Sequence, residues 1–163
     1  MSDKIHGFEP FYGPNSEVLV LGSFPSVKSR TVDFYYGNRQ NRFWKMLYGY
    51  FGEELREDIP SKKDFLIRRG IALWDVVAEC EIDGSADASI RNYRVADISA
   101  LLSVVPVRLI LLNGALAHKL FCEHFRGIEL PFLRMPSTSP ANPRFDAAIW
   151  YAALDTVFAY GKK

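Results

Sequence analysis

Short apolar runs alternate with amphipathic stretches along most of this chain. Four of the runs are compact and almost entirely apolar, which is typical of strands buried on both faces of a sheet. They cover residues 17–22, 71–74, 107–112 and 130–135. Other segments repeat apolar residues at three- and four-residue spacing, which predicts helices. These segments cover residues 41–52, 60–70, 94–103, 115–125 and 144–160, and the pattern leaves 23–40 and 80–93 as loops.

The order of these elements predicts the architecture. Strands that alternate with helices form a parallel sheet with right-handed crossovers, covered by helices. Such α/β sheets bind ligands at the carboxyl ends of their strands. We therefore look for chemistry in the segments that follow residues 22, 74, 112 and 135.

Composition and charge narrow the class of protein. The chain has 163 residues without repeats or linker-like tracts, so we expect one domain over residues 1–163. Apolar residues make up 48% and charged residues 24%, which excludes a disordered chain. The net charge is only +1, so the surface as a whole is not the cationic coat of many nucleic-acid-binding proteins.

No metal site, cofactor site or targeting segment is predicted. Cys80 and Cys122 are too few for a four-cysteine cluster, and His118 and His124 are wrongly spaced for a metal-binding helix face. The first ten residues carry charges where a signal peptide needs an apolar core, and no apolar run approaches a membrane span. We expect a cytoplasmic monomer with reduced thiols, no cofactor and no membrane partner.

The loop after the first strand lacks the known phosphate-binding and nucleophile motifs. It contains no GxxxxGK[ST], GxGxxG or GxSxG pattern. Between residues 26 and 45, however, five basic residues and two tyrosines are opposed by one acidic residue. Basic residues interleaved with aromatic ones suit a nucleic-acid backbone and an unstacked base, although a solvated surface loop has the same composition.

Two later loops carry polar groups. Asn113-Gly114 follows the third strand, and residues 136–143 hold three consecutive hydroxyl side chains between prolines. A proline-restricted loop loses little entropy on binding a ligand. Ordinary turn chemistry also explains Asn113-Gly114, and helix capping also explains Asn142-Pro143.

Three stretches together resemble the uracil-DNA glycosylase superfamily: residues 22–26 (GSFPS), 34–44 (FYYGNRQNRFW) and 135–142 (MPSTSPAN). The nearest branch is that of the hypoxanthine, or deoxyinosine, glycosylases. The resemblance implies a three-layer α/β/α fold around a four-stranded parallel sheet. It also implies base excision from double-stranded DNA that carries a deaminated base. Two departures stand out, because Phe24 replaces an asparagine of the mismatch-specific members and Ser137-Thr138-Ser139 replaces a histidine-bearing motif.

The resemblance also implies roles for single residues. Asn41 is the candidate for placing the attacking water, with helix capping as the alternative role and Asn38 as the competing amide. Tyr36 would stack on the extruded base, Ser23, Phe24 and Pro25 would line its pocket, and Asn113 would read its edge. Contacts with DNA are expected from Lys28, Arg30, Arg39, Arg42, Ser137, Thr138, Ser139, Asn142 and Arg144.

The predicted function is hydrolysis of an N-glycosidic bond by a monofunctional glycosylase that flips the base out of the helix. Two other classes stay open. One is a DNA-binding protein that kept the scaffold and lost the chemistry along with the asparagine. The other is a small-molecule enzyme whose tyrosines merely line a pocket.

Overall fold

The computed structural model describes residues 4–158, and its strands form two sheets. The strands are β1 (Ile5–His6), β2 (Val18–Gly22), β3 (Ile71–Asp75), β4 (Val77–Glu81), β5 (Arg91–Val95), β6 (Leu109–Asn113) and β7 (Phe132–Met135). The helices are α1 (Val27–Val32), α2 (Phe43–Phe51), α3 (Ile59–Arg69), α4 (Ile98–Leu102), α5 (Ala115–His124) and α6 (Ala147–Phe158), with a 3₁₀ turn at Asp87–Ser89.

The larger sheet is parallel and has the strand order β3-β2-β6-β7. Strand β2 lies inside it, and all five of its residues are buried, as its unbroken apolar run predicts. The chain passes from β2 to β3 on one side and later returns to β6 on the other side of β2. The carboxyl ends of β2 and β6 therefore form a topological switch point, where such sheets leave a crevice.

Alternate residues of the sheet contribute to two separate cores. Val18 and Val20 lie in the core formed with α2, α3 and α6, which includes the fully buried Trp150. Leu19 and Leu21 face the opposite core, formed with α4 and α5. The three-layer α/β/α arrangement with a central four-stranded parallel sheet is thus confirmed.

Helices α2 and α3 end where the sequence supplies glycine. Gly52 and Gly70 follow their last turns with φ of 69° and 74°, a left-handed conformation that costs glycine little. Asp58 begins α3 by accepting a hydrogen bond from the backbone N–H of Ser61. These local signals determine where α3 begins and where both helices end.

The prediction of a continuous loop over 23–40 is wrong, because residues 27–32 form α1. Ser26 caps this helix by accepting from the Ser29 N–H at 3.2 Å, and Asp33 ends it with φ of 63°. A helix of six residues has fewer than two turns, which is too short for an apolar period to be recognised in the sequence.

The predictions over 80–103 are also partly wrong. Strand β4 pairs with β1 on one side and β5 on the other in a small antiparallel sheet, and the helix is confined to Ile98–Leu102. Strand β5 does alternate in burial, but arginine and asparagine occupy most of its positions, so hydropathy hides its period of two.

The predicted start of the last helix is wrong, and its predicted end falls outside the described residues. Helix α6 begins at Ala147 rather than at residue 144, and the end predicted at residue 160 lies beyond residue 158. The ends of the predicted domain, residues 1–3 and 159–163, lie outside as well. Within residues 4–158, none of the helices combines the length and hydropathy needed to cross a bilayer.

Candidate active site

A cavity of about 350 Å³ opens at the carboxyl ends of the parallel strands. Every strand of the larger sheet contributes to it, through its last residue or through the segment that follows the strand. The polar and aromatic lining includes Ser23, Phe24, Lys28, Tyr36, Asn38, Asn41, Asp75, Asp87, Asn113, Ser137, Thr138 and Ser139. The size and position suit a single small ligand or an extruded base.

Gly22 lies at the floor of this cavity, between two side chains. Parallel pairing places Gly22 opposite Asp75. A Cβ atom at position 22 would lie 2.5 Å from Asp75 Oδ1 and 3.3 Å from the Tyr36 hydroxyl. Only glycine therefore lets the Asp75 carboxyl and the Tyr36 hydroxyl converge at the end of β2.

The Asp75 carboxyl is buried, and one of its two oxygens lacks a hydrogen-bond partner in the described part of the chain. The residue is 4% exposed, and the unpartnered atom is Oδ2. Burial, and then the charge of Asp87, raise the pKa of Asp75 to about 7. The carboxyl therefore holds its proton well above the usual pH range of an aspartate.

Asp87 is the second carboxyl of the cavity and sits on the 3₁₀ turn. Its Oδ1 accepts a hydrogen bond of 2.8 Å from the Ser23 hydroxyl. Burial raises the pKa of Asp87, while the bond from Ser23 opposes that rise. Arg30 fixes the same segment, because its Nη2 donates to the Gly84 carbonyl at 2.8 Å and its Nε donates to the Pro25 carbonyl at 3.3 Å.

Tyr36 forms an aromatic wall of the cavity. Its ring stacks on Phe43 with centroids 4.2 Å apart, and its backbone adopts a φ of 53°. Such a φ is strained for a tyrosine and is typical of functional sites. The hydroxyl is buried and makes no well-aligned hydrogen bond among residues 4–158. Burial, and then the charge of Asp75, raise its pKa well above the usual range, while the nearby Asn113 side chain opposes that rise.

Both candidate amides, Asn38 and Asn41, line the cavity and also hold the local backbone. Asn41 Oδ1 accepts from the Phe43 N–H at 2.9 Å, at the start of α2. Asn38 Oδ1 accepts from the Gln40 N–H at 2.9 Å. The N-cap residue of α2 is Arg42, so Asn41 caps the helix from the position before it, by accepting from the N–H of the first helical residue. The same side chain lies in the cavity lining.

The Asn113 side chain is hydrogen-bonded to the hydroxyl-rich loop, residues 136–143. Its Nδ2 donates to Thr138 Oγ1 and its Oδ1 accepts from the Thr138 N–H, each at 3.0 Å. Thr138 is 1% exposed, so this reciprocal pair is buried. Both polar atoms of the Asn113 side chain thus hold residues 136–143 against β6.

Arg42 anchors the same loop from α2. Its guanidinium donates to the carbonyls of Thr138, Ser139 and Asn142, and it lies 4.7 Å from the centre of the Phe145 ring. Ser137 and Ser139 oxygens accept from backbone N–H groups within the loop. A hydroxyl that accepts a bond still has its own proton to donate, so both serines keep a donor for a ligand.

The basic residues predicted for DNA fall into two groups. The guanidinium groups of Arg30 and Arg42 donate hydrogen bonds to backbone carbonyls of the protein. Lys28 lines the cavity, and Arg39 lines a separate groove together with Glu57 and Asp58. Lys28, Arg39 and Arg144 are exposed and form no salt bridge within residues 4–158. The second group therefore has charge available for an anionic ligand. No group of three metal-binding side chains occurs in this described range.

Comparison with known proteins identifies the family. The family model "Uracil DNA glycosylase superfamily" matches residues 9–153. The chain belongs to this superfamily. A hypoxanthine DNA glycosylase from Methanosarcina acetivorans is 37% identical over 141 residues, which cover 85% of this chain and 89% of that protein. Another hypoxanthine DNA glycosylase, from Methanosarcina barkeri, is 34% identical over 113 residues, covering 68% and 72% of the two chains.

A solved structure supports the same assignment. The solution NMR structure of a candidate uracil DNA glycosylase from Methanosarcina acetivorans is 34% identical. It superposes with a TM-score of 0.82, and the match covers 99% of this chain and 100% of the other. The superfamily resemblance of the sequence motifs is therefore confirmed over nearly the whole chain.

Asp75 and Asp87 are the carboxyl groups of the cavity lining, and the sequence analysis assigned a role to neither. Asp75 is the last residue of a buried strand, and that position was itself a usable signal in a protein that binds at strand ends. Asp87 lies in a segment predicted to be a plain loop, and only the fold brings it to Ser23, 64 residues away.

We expect Asn113→Ala to destabilise the protein by about 1–3 kcal/mol, because the Thr138 N–H and hydroxyl would stay buried without partners. Denaturant unfolding measures the change in the free energy of unfolding. Gln40→Ala removes an exposed amide from the same rim and should have little effect. Equal stability of the two variants would show that the Asn113–Thr138 pair does not secure the loop.

Proposed function

We propose that this superfamily member is a monofunctional DNA glycosylase that releases hypoxanthine from deoxyinosine in double-stranded DNA, and uracil as a second substrate. The observation that carries this proposal is the cavity at the switch point. It is lined by the Tyr36 ring and by Asp75, whose buried Oδ2 atom has no hydrogen-bond partner in the described part of the chain. The names of the two Methanosarcina relatives support hypoxanthine. We further propose that the protein acts as a cytoplasmic monomer.

The reaction needs help at two places. Breaking the N-glycosidic bond leaves positive character on the sugar and negative charge on the departing base. The sugar side needs a water molecule held against C1′, and the base side needs hydrogen-bond donors and an aromatic surface. Because the base leaves as a delocalised anion, the protein needs no covalent nucleophile.

Asn41 is proposed to hold the water, with Asn38 as the alternative. An amide oxygen with one bond to a backbone N–H keeps a second lone pair, and the amide nitrogen keeps its donors. Asn41 can therefore cap α2 and bind a water at the same time. Its bond to the Phe43 N–H fixes the amide, which is what positioning a water requires.

The base is proposed to lie against Tyr36, with Phe24 and Pro25 as the opposite wall and Ser23 at its edge. The stack of Tyr36 on Phe43 holds the ring in place before the base arrives. Stacking on such a ring is worth ~1–3 kcal/mol per base. Asn113 would contribute to base binding through the loop that it holds rather than through a direct contact.

The phosphate backbone is proposed to contact Ser137, Ser139, Lys28, Arg39 and Arg144. The two hydroxyls are fixed by their bonds within the loop. Arg30, Arg42, Thr138 and Asn142 would position these groups, since their side chains bond to the protein itself. A rigid loop of this kind can be pressed into the duplex to replace the extruded nucleotide.

A substrate panel tests the function. Labelled duplexes that carry one inosine, one uracil or no lesion are incubated with the protein and then treated with alkali, which breaks abasic sites. Breaks at inosine that require alkali support a monofunctional glycosylase. Tight binding without breaks selects the DNA-binding protein that lost its chemistry, and neither binding nor breaks selects the small-molecule enzyme.

We expect Asn41→Ala to slow single-turnover base release by ~10²-fold, with little loss of lesion affinity, because water placement acts on the chemical step. It should also lower stability by ~1 kcal/mol through the lost cap. Asn41→Ser keeps an oxygen for the cap and removes the amide, so it should be stable but slow. If Asn41→Ser releases the base at the normal rate, the water belongs to Asn38.

We expect Lys28→Ala, Arg39→Ala and Arg144→Ala each to flatten the plot of log affinity against log salt by about 0.9, the value for one phosphate contact. Fluorescence anisotropy on an inosine duplex measures the slope. Arg108→Ala is the matched control, since Arg108 pairs with Glu17 at 2.9 Å at the amino ends of β6 and β2, away from the cavity. An unchanged slope in all three variants would place the DNA elsewhere.

A further inference from the structure

We propose that Ser29 and Trp44 are positioning residues for the extruded base, because together they fix the backbone on both sides of Tyr36 and hold its ring ready for stacking. We call this pair the Ser29–Trp44 clamp. The inference rests on the proposed function, in which the base stacks on Tyr36, and it names what keeps that stacking surface in place. Both residues act through the conformation of Tyr36.

Tyr36 has a backbone conformation that a tyrosine does not keep unaided. Its φ of 53° lies in the left-handed region, which is costly for a bulky residue. Such residues persist only where the surrounding structure fixes them. Relaxation to a negative φ would swing the ring away from Phe43, on which it now stacks. The stacking surface therefore depends on contacts that hold this backbone.

Each peptide unit beside Tyr36 is held by one side chain. The Trp44 indole N–H donates to the carbonyl of Tyr35, in the unit before Tyr36, at 3.0 Å. The N–H of Gly37, in the unit after it, donates to Ser29 Oγ at 2.9 Å. Because a residue has only two soft backbone dihedrals, fixing both flanking peptide planes fixes its conformation.

The two side chains of the clamp are packed within helices. Ser29, on α1, is 2% exposed, and Trp44, on α2, is 4% exposed. The Trp44 ring stacks on Phe34 with centroids 6.0 Å apart, and Lys62 Nζ lies 5.0 Å from its centre. The clamp therefore ties the stacking residue to two helices rather than to other parts of the loop.

Gly37 allows the loop to approach α1 closely enough for the bond to Ser29. A Cβ atom at position 37 would collide with the Val32 side chain. It would also lie 3.1 Å from Ser29 Cα and 3.2 Å from the Lys28 carbonyl oxygen. These last two atoms belong to the backbone of the helix, so they cannot give way as a flexible side chain can. The contact, rather than the conformation of residue 37, requires glycine.

The clamp matters for binding because the base has to find the ring already in place. A binding-competent conformation that is only partly populated weakens the apparent affinity by its populated fraction. Loss of either bond would let Tyr36 relax and would lower that fraction. Contacts with the phosphate backbone would stay. The loss should therefore fall on the part of the affinity that depends on the base.

The experiment measures this base-dependent part as a ratio of two affinities. One duplex carries an uncleavable 2′-fluorinated deoxyinosine, and the other carries a tetrahydrofuran abasic site at the same place. We expect Ser29→Ala and Trp44→Phe each to lower the ratio by about 3- to 10-fold, since each removes one of two bonds. Tyr36→Ala should lower it by about 10-fold or more, because it removes the stacking ring itself.

Two control variants remove bonds of the same kind elsewhere. Ser16 is 1% exposed and accepts from the Gly13 N–H at 2.9 Å, and the Trp74 indole donates to the Phe8 carbonyl at 3.0 Å. Neither Ser16 nor Trp74 lines the cavity. Ser16→Ala and Trp74→Phe should keep the wild-type ratio even where they lower the melting temperature as much as the clamp variants do. All affinities are measured well below the melting temperature of each variant.

A double-mutant cycle separates action through Tyr36 from direct contact with the base, the alternative for Ser29 because it also lines the cavity. Combined with Tyr36→Ala, neither clamp variant should lower the ratio further, since no ring is left to hold. Gly37→Ala disturbs the same contact from the other side and should act like Ser29→Ala. Gly127→Ala is its control, because a Cβ there meets open space in the described part of the chain.

The outcomes separate this inference from the proposed function. If the clamp variants keep the wild-type ratio, or lose as much of it without Tyr36 as with it, the clamp does not position the ring. If wild type prefers the base-bearing duplex, the clamp variants lose that preference and no hypoxanthine is released, the clamp stands and the glycosylase function fails. If wild type releases hypoxanthine while Tyr36→Ala keeps the full ratio, the function stands and this inference fails.

Discussion

The pairing of strand β2 with β3 on one side and β6 on the other is the constraint on which the site depends. It aligns Gly22 with Asp75 and Leu21 with Leu112, so three strand ends meet at one level. A slip of one residue would exchange the two buried faces of β2. Backbone bonds from Val76 to the Gly22 carbonyl and from Val77 to the Ser23 carbonyl extend the alignment beyond the sheet.

The two sides of the cavity differ in how their polar groups are satisfied. On the β6 and β7 side, Asn113 and Thr138 bond to each other, and Arg42 donates to the carbonyls of Thr138 and Asn142. On the β2 and β3 side, Asp75 and Tyr36 hold buried oxygens without partners in the described chain. A fully satisfied network is rigid, and an unsatisfied one is costly until a ligand completes it. The first side therefore suits positioning, and the second suits recognition.

The sequence predicted those parts of the fold that depend on local pattern. Strands buried on both faces, such as β2, are visible as apolar runs, and the motifs after them located the cavity. Strand β5 was missed because its polar residues hide the alternation. Asp75 stands at a strand end that the sequence indicates, but its burial and its lack of a partner appear only in the folded structure. Asn113 meets Thr138 only through the pairing of β6 with β7.

Gly22 has a consequence for how this protein can change over evolutionary time. Its missing side chain leaves room for Asp75 Oδ1 and the Tyr36 hydroxyl. Any larger residue at position 22 is therefore acceptable only after one of those two groups has been shortened or has moved. Substitutions at these positions should show strong epistasis, and the order in which they arise should decide which descendants remain functional.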